Sequence, residues 1–395
     1  MSGPSPGGPG PDALTDPEAL TAADHYGVVA AVASAGAQVR AVAEQLAELR
    51  TDRPRSVLLV GVDAAAEAGL AAALLPQAPV PLLGCPELPA WAGALDLVLV
   101  LAADPDDRPA AQAAAEATRR GATLLVRAAA HGPVADAAGA ALVPPRVAVP
   151  ELAAGPGRTS FVLAAAAAAG LAGPAGFRVA DLAAVADALD AEALACGPAA
   201  EPFVNPALTL AGAAWERTTV FLGADGVGRA MAERAARSMT LLGGMPSAAA
   251  HVERVLAGGQ LGARMAAPED PFADPDLDGP ATARPLPVLI PPLRRDDEAA
   301  DARVQAVRRM LPRAMVLAPD QAGPEPVTAV AGALQMALRV DFAAAYLGIA
   351  AGQAPPPDGP DGLGPAGGAR QARPAATVED VMRDNWDDQD RRPWS

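Results

Sequence analysis

The sequence predicts an α/β protein made of two related units, each a doubly wound parallel β-sheet with helices on both faces. Short, fully apolar runs alternate with longer alanine-rich runs, which is the order of strands and helices in such a sheet. The same order recurs in the second half of the chain, as expected for tandem units. Of the 395 residues, 51% are hydrophobic, which is enough for two cores of this kind.

The two ends of the chain differ from its middle in composition. Residues 1–23 and 354–395 are predicted to be disordered tails, because both contain long Gly/Pro-rich stretches. From Thr377 onward, the apolar spacing fits either one short amphipathic helix or a solvated acidic segment. Between the tails we expect a leading helix plus the first unit over 24–195 and the second unit over 196–353.

The first unit follows a long helix that is amphipathic or buried. Its expected elements are that helix over 23–50 and strands over 57–60, 97–101 and 123–127, with alanine-rich helices between the strands.

The second unit repeats the order after a buried helix, expected over 161–172, and a connecting helix, expected over 179–195. Its expected elements are strands over 220–222, 288–290 and 314–317, a helix over 298–310 and a closing helix over 328–351. The leading and closing helices are expected to clamp the two units together.

Charge and cysteine content argue against several classes of function. The net charge is −16, so the chain lacks the basic surface that binds nucleic acids and anionic membranes. No signal peptide is visible, and the longest apolar run, over 161–172, is too short to span a bilayer. Cys85 and Cys196 are far apart and have no ligand spacing. These features predict a reduced, cytoplasmic protein without a metal or cofactor.

The glycine loop Gly223-Ala-Asp-Gly226-Val-Gly228 separates an expected strand from an expected helix. A dinucleotide fingerprint requires G-x-G-x-x-G and a later acidic residue, whereas the order is reversed here and no such residue follows. A phosphate-binding P-loop requires lysine, and the chain contains none. The glycines therefore suit a tight strand-to-helix turn, although the first amides of the helix would still attract an anion.

Two further motifs carry a resemblance to a known family. The segment Asp341-Phe-Ala-Ala-Ala-Tyr-Leu-Gly-Ile-Ala-Ala-Gly352 resembles the last helix of the bifunctional phosphoglucose/phosphomannose isomerases, a group of the sugar isomerase (SIS) family. The segment Asn205-Pro-Ala-Leu-Thr-Leu-Ala211 is similar to the one before their second SIS domain. The resemblance implies two tandem SIS domains, a homodimer, and a phosphosugar pocket at the carboxyl ends of the strands.

The resemblance also implies roles for individual residues. Arg158 matches the arginine that faces the enediolate and His251 matches the family's acid–base histidine, so these two are the candidate catalytic residues. The candidate substrate-binding residues are Gly61, Arg108, Asn205, Gly223 and Gly226.

Other parts of the family's machinery are replaced in this chain. The E-N-x-K run that carries the base falls on Ala235-Ala-Arg-Ser238, and Glu233 is expected on a different helix face. The loop that holds phosphate through hydroxyl groups falls on 102–108, which contains three carboxylates and no hydroxyl. The resemblance therefore implies a degenerate isomerase site.

The surviving polar residues each have a structural alternative. His251 is either an acid–base group or a histidine on a helix surface, and Arg158 is either an anion contact or an ordinary arginine at a helix N-terminus. Asp104, Asp106 and Asp107 either bind a cation or form a solvated loop in which an aspartate caps the next helix.

Two functions are compatible with this combination. The chain is expected to bind a phosphosugar or related carbohydrate derivative, with a degenerate isomerase site. The alternative is an active glucose 6-phosphate/mannose 6-phosphate isomerase with a rebuilt site. The sequence leaves open the identity of the sugar, the presence of catalysis, the oligomeric state and the role of the acidic tail.

Overall fold

A 3-10 helix and three α-helices precede the first sheet, and they begin earlier in the chain than expected. The computed structural model describes residues 9–173, 176–267, 284–293, 297–320 and 325–352. A 3-10 helix over Pro11–Thr15 is followed by α1 (Pro17–Ala23), α2 (Val28–Ala33) and α3 (Ala35–Leu46).

The segment from residue 11 to residue 23 is helical, which corrects the expectation of a disordered tail there. The Asp16 carboxylate caps α1 by accepting hydrogen bonds from two backbone amides, each at 3.1 Å. Leu14 and Leu20 are buried in the main core, so apolar side chains anchor this Gly/Pro-rich stretch. The tail predicted over 354–395 lies outside the described residues.

The leading helix expected over 23–50 is divided into α2 and α3. The two helices meet at Ser34, whose hydroxyl donates to the carbonyl oxygen of Ala31 at 2.6 Å. Asp24 caps α2 by accepting from the amides of Val28 and Val29 at 2.8 and 3.0 Å. Hydrogen bonds between side chains and the local backbone therefore end the helices where amphipathic spacing alone predicted continuity.

The first half of the chain forms a four-stranded parallel sheet. Its elements are β1 (Ser56–Val60), α4 (Ala64–Leu74), β2 (Leu82–Cys85), β3 (Asp96–Leu101), α5 (Arg108–Arg119), β4 (Thr123–Arg127) and α6 (Gly132–Ala138). The strand order is β2-β1-β3-β4, and every pair is parallel. β1 and β3 are buried along their whole length, so helices cover both faces of the sheet.

The second half repeats this arrangement after three connecting helices. The connecting helices are α7 (Gly155–Ala168), α8 (Leu182–Cys196) and α9 (Pro206–Ala214). The remaining elements are β5 (Thr219–Gly223), α10 (Gly226–Leu241), β6 (Ser247–His251), α11 (Val252–Leu256), α12 (Gln260–Ala266), β7 (Leu286–Ile290), α13 (Glu298–Met310), β8 (Met315–Val316) and α14 (Pro326–Ala350). The order β6-β5-β7-β8 is again fully parallel and matches that of the first sheet.

The predicted fold class is confirmed, but the edge strands β2 and β6 were not predicted. β2 is partly exposed and contains Gly84, so it lacks the continuous apolar run of the central strands. β6 has the sequence SAAAH, and alanine favours helices when no partner strand is considered. Pairing with β1 and β5, rather than local sequence, makes these segments strands.

Helix α14 is buried and joins the two halves. It packs against α8, α9 and α10, and it also contacts α1, α2 and α4. In the part of the chain that the structure describes, α14 is the one helix with the length and hydropathy of a membrane span, and burial in the core accounts for that composition. One continuous hydrophobic core contains side chains from α14 and from strands of both sheets.

Candidate functional site

Each half of the chain follows its central strand with the same short pattern of glycine, one further residue and aspartate. The pattern is Gly61 to Asp63 after β1 and Gly223 to Asp225 at the end of β5. A Cβ atom at Gly61 would lie 2.3 Å from the carbonyl oxygen of Leu101, and one at Gly223 would lie 2.4 Å from the backbone of α10. Both glycines are required by close backbone packing, which supports the interpretation of the loop as a turn.

The two aspartates use their carboxylates differently. Asp225 caps α10 by accepting a hydrogen bond from the amide of Gly228 at 2.6 Å. Asp63 has a left-handed φ of 65° and makes no capping bond to α4. Its Oδ2 atom lies 2.6 Å from Arg237 Nη1 and 3.8 Å from Arg158 Nη2. The aspartate of the first half therefore faces two arginines instead of its own helix.

Arg158 lies in the first turn of α7 and only 10% of its side chain is exposed. Its Nη1 is 3.3 Å from Glu151 Oε1, and its Nη2 donates to the Val62 carbonyl oxygen at 3.4 Å. Its buried Nε has no hydrogen-bond partner within the described ranges. Arg158 is thus an arginine at a helix N-terminus, as one interpretation held, and it also keeps unused donor capacity for an anion.

Arg237 contributes from the second half of the chain, near the end of α10. We call Asp63, Glu151, Arg158 and Arg237 the bridging cluster, because it joins the two halves of the protein. Its two guanidinium groups and two carboxylates balance in charge. Asp63 and Arg237 have side chains that are 23% and 29% exposed, so the cluster is accessible to solvent. The sequence did not indicate this contact; the one available signal was the position of Asp63 after Gly61.

The face of α10 that would carry the family's base makes structural contacts instead. Ala235 is buried, and the Ser238 hydroxyl donates to Asp341 Oδ1 at 2.5 Å. Arg234 donates to both carboxylate oxygens of Asp341, at 3.0 and 2.8 Å. Glu233 is exposed on another face of the helix, as predicted. The Asp341 of the resemblance motif therefore fastens α14 to α10.

The carboxylates near this face are paired with a cation or with a hydroxyl donor. Burial alone lowers the pKa of Arg234, but Asp341, with a smaller contribution from Glu67, raises it above the ordinary value. Glu67 is buried on α4 and accepts the Thr159 hydroxyl at 2.8 Å. Asp341 and Glu67 are both engaged with cations or donors, so neither is a free base.

His251 ends strand β6, so the interpretation as a histidine on a helix surface is wrong. The strand pairing places His251 opposite Gly223. Its Nδ1 is the N-cap acceptor for α11 and receives the amide of Glu253 at 3.4 Å. The carboxyl edge of the second sheet thus combines His251 with Asp225.

The described contacts associate the two candidate catalytic residues, His251 and Arg158, with different ends of α10. Gly226 and Arg237 lie near opposite ends of α10, about 16 Å apart along the axis at about 1.5 Å per residue. His251 stands at the end near Gly226, whereas Arg158 stands at the end near Arg237. A joint catalytic role of His251 and Arg158, which the resemblance implies, therefore stays a prediction that these contacts do not favour.

Asp225 has an unusual environment at the second edge. Burial raises the pKa of its carboxyl, the Gly228 amide lowers it, Asp297 raises it and His251 lowers it, with a net upward shift. Asp297 also caps α13, through the amide of Ala300 at 2.9 Å. Asp225 and Asp297 are therefore both helix caps.

Asn205 is a structural residue rather than a substrate contact. Its side chain is completely buried, and its Oδ1 accepts from the amides of Ala207 and Leu208 at 2.9 and 3.0 Å, which caps α9. Its Nδ2 donates to the carbonyl oxygens of Cys196 and Gly197 at 2.9 and 3.1 Å. Every donor and acceptor position of the amide is used, so none is left for a sugar.

Arg108 is exposed at the first residue of α5, and its predicted role in substrate binding stays a prediction. In the acidic loop before it, Asp107 caps α5 through the amide of Ala110 at 2.9 Å. Asp104 accepts from the amide of Asp106 at 2.8 Å. The interpretation of this loop as a capping segment is confirmed.

Arg127 is a buried cation that sequence reasoning missed. It ends β4, donates to Gln45 Oε1 at 3.1 Å and lies 5.8 Å from the centroid of the Phe161 ring. Burial lowers the pKa of Arg127 to about 10. It stands close to the first turn of α7, where a Cβ at Gly157 would be 3.8 Å from its Nη2. The positive charge of this region therefore extends beyond Arg158.

Comparisons with known proteins support the fold. No protein-family model matches the sequence, and no curated protein matches it. A Bacillus subtilis protein described as a phosphosugar isomerase is similar in structure, with 14% identity and a TM-score of 0.55 over 80% of this chain and 94% of its own. The tagatose-6-phosphate ketose/aldose isomerase of Escherichia coli matches with 12% identity and a TM-score of 0.51, over 82% of this chain and 90% of its own.

A third similar structure is named for a different activity. The C-terminal domain of glucosamine-fructose-6-phosphate aminotransferase from Francisella tularensis is 11% identical, with a TM-score of 0.52 over 82% of this chain and 97% of its own. The chain has a double SIS fold. At these identities the likeness establishes the architecture of the SIS fold alone.

Proposed function

We propose that this chain is an SIS-type protein that binds a phosphosugar or related carbohydrate derivative without catalysing aldose–ketose isomerisation. The structural neighbours support the ligand class, because their names refer to sugar phosphates or phosphosugars. Ligands of open α/β sheets bind at the carboxyl ends of the strands, and the bridging cluster includes Asp63, which lies just beyond the carboxyl end of β1 in the first sheet.

The observation that carries this proposal is that Arg158 is buried and only partly hydrogen-bonded. Its guanidinium is held nine-tenths buried at the end of β1, and its Nε has no partner among the described residues. Arginine is suited to bidentate recognition of phosphate, and Arg237 offers a second guanidinium from the other half of the chain. A sugar phosphate would supply acceptor oxygens for the donor capacity of Arg158 that Glu151 and Val62 leave unused.

The lack of isomerase activity is inferred from the α10 face. Moving a proton between two sugar carbons requires a positioned base. The positions that resemble the base run hold Ala235 and Ser238, and Ser238 donates to Asp341. His251 pairs with Gly223 beside the start of α10, whereas Arg237 of the bridging cluster lies near the end of that helix, so we infer that His251 does not replace the base.

Finer assignments belong to the same proposal. The motifs at 205–211 and 341–352 favour the phosphoglucose/phosphomannose isomerase group, and hence a hexose 6-phosphate as ligand. We also propose that the protein is cytoplasmic and forms a homodimer.

Calorimetric titration of the full chain with fructose 6-phosphate, with glucose 6-phosphate and with unphosphorylated fructose tests this function. We expect binding of the phosphorylated sugars only, weakened at least about tenfold in Arg158→Ala by loss of charge-assisted hydrogen bonds. Arg158→Lys, which keeps the charge, should lose less affinity. Arg178→Ala is the control, because Arg178 is exposed and bonds only to its neighbour Asp181 among the described contacts.

An assay of interconversion between fructose, glucose and mannose 6-phosphates distinguishes the alternative function. We expect no turnover above background. Turnover that disappears in Arg158→Ala or His251→Ala would establish an active isomerase with a rebuilt site. If none of these sugar phosphates binds, the proposed ligand class is rejected.

A further inference from the structure

Asp63 and Asp225 hold equivalent places after the central strands, yet only Asp225 caps the helix that follows it. The Asp63 carboxylate turns instead to Arg237, at 2.6 Å. Its φ of 65° is a conformation that glycine, asparagine and aspartate tolerate better than other residues. The arginines, rather than the dipole of α4, therefore fix the position of this carboxylate.

Asp63 and Glu151 satisfy Arg158 only in part. Arg158 Nη2 is 3.8 Å from Asp63, beyond hydrogen-bond distance, and Nη1 is 3.3 Å from Glu151. Its Nε is buried and has no partner in the described residues. A buried donor without an acceptor is unfavourable, so an oxyanion with several acceptor oxygens would fit Arg158 better than Asp63 does.

We propose that Asp63 is a resident anion, a carboxylate of the chain itself that occupies the place of a ligand's phosphate between Arg158 and Arg237. This inference rests on the proposed function and adds how the site selects its ligand. The phosphate binds by displacing the Asp63 carboxylate, which turns toward solvent. Because Asp63 and Arg237 are partly exposed, replacement of the carboxylate by phosphate does not require the hydrophobic core to open. A neutral sugar leaves the Asp63–Arg237 pair in place and binds poorly.

The variant Asp63→Asn tests this inference, because asparagine keeps the size and tolerates the left-handed backbone but lacks the charge. Calorimetric titration at low ionic strength with inorganic phosphate and with fructose 6-phosphate gives the Kd. We expect the Kd of both to fall about tenfold, since the competing carboxylate and its repulsion of phosphate are removed together. Asp52→Asn is the matched control, because Asp52 is an exposed acid before β1, at the opposite edge of the sheet from Asp63. The Kd of phosphate and of fructose 6-phosphate for this variant should stay within about twofold of the wild-type value.

A second substitution tests whether Arg237 is the group released. In the Asp63→Asn background, Arg237→Ala should abolish the gain in affinity. An unchanged Kd in Asp63→Asn, or an equal gain in affinity in Asp52→Asn, would overturn the proposal, because both results contradict a specific competition. Thermal unfolding checks that each variant is folded, and Asp63→Gly replaces Asp63→Asn if the latter is not.

The same titrations separate this inference from the proposed function. If wild type binds fructose 6-phosphate and Asp63→Asn binds it no more tightly, the resident-anion proposal alone fails. If neither protein binds phosphate or fructose 6-phosphate, both proposals fail. Binding by Asp63→Asn but not by wild type would support the resident anion most directly.

Discussion

Asp341 on α14 accepts two hydrogen bonds from Arg234 on α10, so a buried ion pair joins the closing helix to the second half of the SIS fold. The side chains of Arg234 and Asp341 are 10% and 2% exposed. Ser238 completes the contact by donating to the same carboxylate. The segment 341–352 resembles the last helix of the isomerase family, and its first residue, Asp341, makes a structural contact between helices.

Asp341→Ala is expected to lower the free energy of unfolding by about 3–5 kcal/mol, because it leaves the Arg234 charge buried and uncompensated. Urea denaturation followed by circular dichroism measures the change. Asp320→Ala is the control, since Asp320 is 75% exposed and lies 3.3 Å from Arg339. That control should cost less than about 1 kcal/mol. Equal effects of the two substitutions would contradict the assignment.

The glycine loop supplies a second prediction. Gly223→Ala should destabilise the protein by more than about 3 kcal/mol or prevent folding, because its Cβ would overlap the backbone of α10 at 2.4 Å. Gly226→Ala, in the same loop, should change stability by less than about 1 kcal/mol, since no atom lies within 4 Å of its added Cβ. Soluble yield and the midpoint of thermal unfolding compare the two variants. A tolerated Gly223→Ala would show that the corner is looser than described.

Substitutions at Asn205 separate a structural role from a role in ligand binding. Asn205→Ala should cost about 2–3 kcal/mol of stability, because the α9 cap and the bonds to two carbonyl oxygens are lost together. Asn205→Ser, which keeps an oxygen acceptor for the cap, should cost less. The Kd for fructose 6-phosphate, measured where each variant is folded, should not change. A stable variant with lost affinity would return Asn205 to the binding site.

The environment of the Asp96 carboxylate predicts that the free energy of unfolding depends on pH. Its carboxylate is fully buried and accepts from Arg55 Nη2 at 2.7 Å, Ser56 Oγ at 2.8 Å and the Gly93 amide at 2.9 Å. Burial alone raises the pKa of Asp96, but these hydrogen bonds lower it below the ordinary value of 3.8. The contribution to stability is therefore complete above about pH 4 and is lost as the pH falls through the lower, folded pKa.

Asp96→Asn should accordingly be less stable than wild type at pH 7, by about 2 kcal/mol. The difference should narrow as the pH falls below about 4, because wild type then loses the ionised contact that the variant never had. Denaturant unfolding at pH 7, 4 and 3 measures the difference. A gap that widens in acid would refute the depressed pKa.

The sequence predicts the central strands well because they are buried on both faces and therefore fully apolar. It fails for β6, whose alanines become a strand only through pairing with β5. It also fails for the helices at 11–23, where Gly and Pro outweigh the two buried leucines in composition. Both errors arise where tertiary contacts decide the local structure.

The site was predictable only in part for a related reason. Arg158 was found through a short motif, and the turn role of Gly223 followed from local geometry. The contact of Asp63 with Arg237 joins residues from opposite halves of the chain, and no local pattern encodes it. The hydrogen bonds of Asn205 and the strand position of His251 were not predicted, because the resemblance located these residues but not their neighbours.

The first described residues also bond to the last. The amide of Gly10 donates to the carbonyl oxygen of Ala350 at 3.0 Å, and α1 packs against α14. During synthesis, therefore, the beginning of the chain can pack against α14 only after α14 has left the ribosome. We expect the first half to emerge as an incomplete intermediate that exposes apolar surface and depends on chaperones, and the two sheets to reach their final stability together.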